Sequence, residues 1–233
     1  MKILITGGTK GIGLAIAEKF AKEGFDVAIC ARTKADLEAT AQRLSQLNST
    51  IEVLTAVVDM QSKIEVERFA TDVLKSWGSI DVLVNNAAAF LQGTFLEEPD
   101  GFLEKMMETN VYGSYYLTRK LLPSMIAQGH GSIFNICSIA SQKPYPNCSS
   151  YVISKFALLG FSKVLRMELM DKNIKVTSVI PGATMTNSWA GVDLPDGRIM
   201  PAEDVARAIW SAFQMSDSTT IEEIVMRPQL GDL

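Results

Sequence analysis

The sequence predicts one doubly wound α/β domain, a mostly parallel sheet with helices on both faces, and three observations lead there. Short apolar runs rich in β-branched residues recur at 3–6, 27–30, 53–57, 82–85, 132–137 and 175–180, each separated by a longer stretch of helical period. Val82-Leu83-Val84 is apolar at every position, as suits a strand covered on both faces. No Pro/Gly/Ser-rich spacer, low-complexity tract or fixed-period repeat interrupts the alternation, so residues 1–233 read as one domain around one core.

Taken in order, strand 3–6 runs into a glycine turn, and helix 13–22 leads on to strand 27–30. Helix 34–47 precedes strand 53–57, and helix 63–77 precedes strand 82–85. A long helix over 101–128 comes before strand 132–137, another over 149–171 before strand 175–180, and helix 202–215 follows. A chain of this length buries about 70% of its unfolded surface, so it requires neither a disulfide nor a structural metal.

Lys plus Arg is 22 and Asp plus Glu is 26, a net charge of −4. With a sequence pI near 5.2 and no basic stripe, a nucleic-acid surface is excluded. Cys30, Cys137 and Cys148 are an odd count at unrelated spacings and read as reduced thiols of a cytoplasmic protein. The opening MKILITGGTKGIG lacks the apolar core of a signal peptide, and no run approaches the ~20 apolar residues of a membrane span. The single histidine, His130, lies between glycines in a turn, and the 11 methionines read as core or interface filler.

The first chemical motif is Thr6-Gly7-Gly8-Thr9-Lys10-Gly11-Ile12-Gly13, between a strand and a helical pattern. Glycines there let main-chain N–H groups approach a pyrophosphate, and the helix N-terminus behind them favours negative charge. Taken alone, the same letters also suit an ordinary strand-to-helix turn. Tyr151 and Lys155 stand four apart on a helical stretch, on one face and one turn apart. A nearby ammonium would stabilise a phenolate and lower the phenol pKa from about 10, making Tyr151 an acid/base; a surface Tyr and Lys would have the same spacing. Ser138, just past strand 132–137, sits where ligands bind in parallel sheets.

The TGxxxGxG spacing resembles the short-chain dehydrogenase/reductase family. Asn85-Asn86-Ala87-Ala88 resembles that family's NNAG motif, with Ala88 in place of glycine. The resemblance extends to Thr186 and implies a Rossmann fold with a dinucleotide held by Gly7, Thr9, Lys10, Gly11, Ile12 and Gly13, then Asn86, Ala87 and Ala88. Strand 27–30 is followed by Ala31-Arg32-Thr33, with no acid to meet ribose hydroxyls. Arg32 and Lys10 can instead grip a 2′-phosphate, beside Thr33, which favours NADP(H). By resemblance Asp59 receives the adenine amino group, although a turn Asp would look the same. Pro181-Gly182-Ala183-Thr184-Met185-Thr186 resembles the family's PGxxxT segment, so Pro181, Gly182, Thr184 and Thr186 are expected at the nicotinamide carboxamide.

The same resemblance makes Asn110, Ser138, Tyr151 and Lys155 a catalytic tetrad. It implies hydride exchange between nicotinamide and a small-molecule carbonyl or alcohol, with no metal. Ser138 would hold the substrate oxygen, Tyr151 protonate it, Lys155 bind ribose and polarise Tyr151, and Asn110 hold a water that resupplies the proton. A 3-oxoacyl-thioester (acyl-carrier-protein) reductase is the alternative, and a non-catalytic NADP(H)-sensing regulator a remote one. The expected substrate pocket is bounded by Phe90, Pro144, Tyr145 and Trp189, with specificity in the segment 187–200. A homotetramer, or else a dimer, is expected through helices 101–128 and 149–171. Phe156, Leu159, Phe161, Val164, Leu165, Met167 and Leu169 give the second more apolar surface than one buried stripe needs.

Overall fold

The computed structural model describes residues 1–186, 189, 191–195 and 197–232. Seven strands, β1 Lys2–Thr6, β2 Asp26–Ala31, β3 Val53–Val57, β4 Val82–Asn85, β5 Gly131–Ile136, β6 Ile174–Pro181 and β7 Glu223–Met226, form one sheet in the order β3-β2-β1-β4-β5-β6-β7. Every neighbouring pair is parallel. The chain builds outward from β1 to β3, returns to β4 on the other side of β1, and so creates a switch point between the C-terminal ends of β1 and β4.

The helices are α1 Gly11–Lys22, α2 Lys34–Leu47, α3 Lys63–Trp77, α4 Phe102–Met107, α5 Gly113–Gln128, α6 Ser149–Leu169 and α7 Ala202–Phe213. Successive strand residues point to opposite faces. Ile3 and Ile5 pack with Ile16 and Phe20 of α1 and with Val205 and Ile209 of α7. Leu4 packs on the other face with Phe69 of α3, Leu117 of α5 and Leu165 of α6. Two cores on one sheet explain why the strands are apolar at consecutive positions. No helix among the described residues is long and apolar enough to cross a membrane.

Three features differ from the sequence reading. β7 was not expected: four residues beginning with Glu223, with Val225 exposed, pair β6 at the sheet edge and lack the fully apolar signature of a central strand. The helix expected over 101–128 contains a π-helical turn at Glu108–Tyr112 between α4 and α5. The apolar excess of α6 is also smaller than expected, because Leu159, Leu165 and Leu169 are buried within the chain; Phe156, Val164 and Met167 remain exposed.

A buried polar chain ties the central elements together. Asn85 Nδ2 donates to Thr118 Oγ1 at 3.0 Å and to Asn135 Oδ1 at 2.8 Å. Asn135 Nδ2 donates to Ser162 Oγ at 3.0 Å, and Ser178 Oγ donates to the same hydroxyl at 2.8 Å. β4, α5, β5, α6 and β6 are thereby registered against one another. Asn135→Ala strands a donor on Asn85 and an acceptor on Ser162 in a dry interior and is expected to lower stability by about 2–4 kcal/mol. Urea unfolding checks this, and a loss below about 1 kcal/mol would mean that packing alone sets the register.

Candidate active site

The C-terminal strand ends surround a cavity of about 1080 Å³. Of the residues expected to bind cofactor or do chemistry, all but Gly13 and Asn110 line it. Gly13 lies behind the glycine turn, where an added Cβ would stand 2.2 Å from the Gly7 carbonyl oxygen. That backbone approach excludes any side chain. Gly11, at φ +52°, lies under the Thr186 side chain, so the loop after β6 closes against the turn after β1. A clasp ties the turn after β1 to the chain after β4: Thr6 Oγ1 accepts from the N–H groups of Asn86 and Ala87, each at 2.9 Å, while Asn86 Nδ2 donates to the carbonyls of Thr6 and Gly7 at 2.9 and 3.1 Å.

Tyr151 and Lys155 occupy the first turns of α6, and Ser138 caps the short turn after β5. Ser138 Oγ accepts from the Ala140 N–H at 3.1 Å, which leaves its own proton available to the cavity that Tyr151 also lines. Phe90 packs edge-on to the Tyr151 ring, centroids 4.8 Å apart. Lys155 is 2% exposed; its Nζ donates to the Ile136 carbonyl at 2.9 Å and lies 5.7 Å from the centre of the Tyr151 ring. Burial pushes the Lys155 pKa down to about 8.

The same burial pushes Tyr151 up to about 12, against the smaller pull of the nearby Ser138 hydroxyl. The sequence reading weighed only the pull of Lys155 on the phenol; burial shifts the phenol the other way. Desolvation is the larger effect on the phenol, and the ammonium is hydrogen-bonded to a carbonyl. Tyr151 is therefore a protonated phenol at neutral pH.

Asn110 is fully buried in the π-helical turn. Its Oδ1 accepts from the Ala89 N–H at 2.7 Å, and its Nδ2 donates to the Ala89 carbonyl at 3.1 Å and to Ser154 Oγ at 2.9 Å. Ser154 in turn donates to the Tyr151 carbonyl at 2.8 Å. Both side-chain donors are engaged within the protein, so any water held by Asn110 is held through its main chain. The side chain itself clamps the loop after β4 to the turn carrying Tyr151.

At the far end of the cavity, Lys10, Arg32 and Thr33 line the wall as expected, but Lys10 Nζ is paired with Asp36 Oδ2 at 2.7 Å. The sequence reading missed this acid because it searched only the end of the second strand; Asp36 reaches the site from the first turn of α2. Asp59 also lines the cavity, and its Oδ1 accepts from the Gln61 N–H at 3.0 Å, so it is both a turn residue and a wall residue.

At the substrate end, Phe90, Tyr145 and Trp189 line the cavity as expected, whereas Pro144 is exposed and outside it. Asn187, Ser188, Ala190 and Asp196 of the expected specificity segment lie outside the described residues. Sequence reasoning missed Cys148 and Asp232, both in the wall. It also missed Glu98, whose carboxylate accepts from the Ser150 N–H at 2.9 Å and from the Ser150 hydroxyl, capping α6 beside Tyr151. No spacing rule links these residues to the motifs, because they arrive on separate loops.

A family model described as short chain dehydrogenase matches residues 1–195. The sepiapterin reductase of Chlorobaculum tepidum is 34% identical over 239 residues, spanning 99% of this chain and 97% of that protein. Among solved structures, an alcohol dehydrogenase from the archaeon Thermococcus sibiricus complexed with 5-hydroxy-NADP superposes with a TM-score of 0.92 at 26% identity, covering 100% of this chain and 98% of that one. The L-sorbose reductase of Gluconobacter frateurii complexed with NADPH and L-sorbose gives 0.89 at 30% identity, covering 97% and 94%.

The buried ammonium has a measurable consequence. Between pH about 8 and 10.5 the folded protein releases the Lys155 proton while the unfolded chain keeps it, so the native state is penalised in full below pH 8 and relieved as pH rises. The drop from 10.5 to about 8 corresponds to about 3 kcal/mol. In Lys155→Met, the unfolding free energy relative to wild type is expected to decline by up to that amount across this window. Denaturant titrations at several pH values check it, and a pH-independent difference would mean that the ammonium is not desolvated.

Proposed function

The chain belongs to the short-chain dehydrogenase family and is an NADP-dependent oxidoreductase of that family; from this premise we propose that it reduces carbonyl groups of small molecules to secondary alcohols at Ser138, Tyr151 and Lys155. The observation that carries the reading is the presence of Ser138 and Tyr151 on one cavity wall with Lys155 buried behind them.

The residues fit the dinucleotide. Gly13 leaves room for the turn to fold back on itself, the helix N-terminus of α1 stands behind that turn, and cationic Lys10 and Arg32 end the groove. Gly7, Thr9, Gly11 and Ile12 would hold the pyrophosphate, and Arg32, Thr33 and Lys10 the 2′-phosphate. Asp59 would lie at the adenine, with Asn86, Ala87 and Ala88 along the nucleotide and Pro181, Gly182, Thr184 and Thr186 at the nicotinamide end. When bound, the nicotinamide supplies the hydride.

The chain's own residues manage the oxygen and its proton. Ser138, oriented by the Ala140 N–H, donates a hydrogen bond to the substrate oxygen, and Tyr151 gives that oxygen its proton. Burial keeps the Tyr151 phenol protonated near neutrality, so its proton is present for the reductive direction. Lys155, with a pKa near 8, stabilises the phenolate left behind and is poised to return a proton. Asn110 acts through Ser154 by fixing the main chain of Tyr151.

Two copies are proposed to meet across α5 and α6, where Tyr115, Ile126, Phe156, Val164 and Met167 are exposed apolar side chains on adjoining helices. The three free, buried cysteines accord with a cytoplasmic location.

Tyr151→Phe keeps the ring and its packing against Phe90 while removing the transferable proton. Its turnover with NADPH and a carbonyl substrate is expected to fall at least about a hundredfold, with NADPH affinity within about twofold of wild type. Absorbance kinetics and fluorescence titration measure the two, and a substantial residual rate would remove Tyr151 from the acid role. For the cofactor, Arg32→Ala is expected to weaken NADPH about tenfold, and Asp36→Asn, which releases Lys10 from a competing carboxylate, to tighten it about threefold to fivefold. Neither should move NADH comparably; parallel shifts in both cofactors would refute the 2′-phosphate site.

A further inference from the structure

Loops after β5, β6 and β7 meet at one carboxylate beside the substrate end of the cavity. Asp232 Oδ2 accepts from the Tyr145 hydroxyl at 2.5 Å, from Lys143 Nζ at 2.9 Å and from Arg227 Nη1 at 2.5 Å. Arg198 holds the same segment by its main chain, donating to the carbonyls of Gly231 and Asp232 at 3.0 and 2.8 Å. Tyr145 and Asp232 line the cavity that Ser138 and Tyr151 also line.

Two cations and a phenol directed at one oxygen form a donor set that recognises a carboxylate by charge-assisted hydrogen bonds. The resident carboxylate fits that set incompletely. Its Oδ1 has no hydrogen-bond partner among the described residues, so all three donors meet on Oδ2 and the second oxygen is left without one. Its attachment is also slight: beyond the buried Pro228 the chain has no regular structure, and Leu230 is 78% exposed, so polar contacts hold the segment. The Tyr145 hydrogen bond, followed by the two cations, holds the Asp232 pKa below the usual carboxylate range, so the group is fully ionised at neutral pH.

We infer that Lys143, Tyr145 and Arg227 form an anion subsite of the substrate cavity, occupied by Asp232 as a tethered carboxylate that a substrate carboxylate displaces, and that the substrates are oxo acids and the matching hydroxy acids. The substrate class rests on the oxidoreductase reading; the subsite does not. In the reaction the oxo carbon gains hydride from NADPH and its oxygen gains the Tyr151 proton, while the distant carboxylate is held unchanged.

The test compares NADPH consumption on pyruvate, acetoacetate and levulinate, each against its methyl ester, and reads the acid-to-ester ratio of kcat/KM. Asp232→Asn, which empties the subsite of its resident charge, is expected to raise that ratio about tenfold for at least one chain length, and adding Arg227→Met to reverse the gain. A ratio that Asp232→Asn leaves in place overturns the proposal. Should Asp232→Asn not fold by circular dichroism, Lys143→Met in the intact chain is expected to lower the ratio about tenfold, and an unmoved ratio is again decisive against the subsite. Calorimetric titration of glutarate into the cofactor-free protein separates the two readings. If no oxo compound consumes NADPH, the oxidoreductase reading fails. Tighter glutarate binding by Asp232→Asn than by wild type still supports the subsite, and equal binding rejects it.

Discussion

A lysine ammonium removed from water is the constraint around which this molecule is organised. Lys155 is buried on the Ile136 carbonyl at the end of a central strand, where an unscreened charge is tolerated only if its neighbours cannot move away. α6 must therefore be held on several sides. Ser162 ties it to β5 and β6, Ser154 ties it to the π-helical turn through Asn110, and Glu98 caps its first turn. Each bond that makes the buried charge tolerable also fixes the phenol of Tyr151, one helical turn away.

The π-helical turn belongs to the same arrangement. An extra residue in a helical turn costs hydrogen-bond quality, and such turns persist where they position a side chain. Here the turn brings Asn110 to both main-chain groups of Ala89 and to Ser154. The loop after β4 and the helix bearing Tyr151 thus share one amide. Desolvation then gives the two reactive groups opposite shifts, raising the phenol and lowering the ammonium.

At the two ends of the cavity, carboxylates of the chain pair with its cations. Lys10 is shared between Asp36 and whatever anion the groove receives, and Asp232 engages Lys143 and Arg227 at the opposite end. At the first place Lys10 and its carboxylate partner both line the ligand-sized space; at the second, Asp232 and Tyr145 line it, with Lys143 and Arg227 bound to Asp232 from outside the lining.

The amino-acid sequence alone carried the alternation of strands and helices, the glycine turn and most of the residues from Thr6 to Thr186 that gather on one cavity. It could do so because each is a local signal: β-branched runs, a helical spacing between Tyr151 and Lys155, and glycines where backbone must meet backbone. The letters did not reveal that Asn110 clamps rather than faces the cavity, that burial raises the phenol pKa, that β7 completes the sheet, that Asp36 and Asp232 reach the cavity wall, or that Glu98 caps α6. The physical reason is common to all of these. Burial, partner exchange and convergence of loops depend on distances between residues far apart in the chain, and no periodicity records those distances.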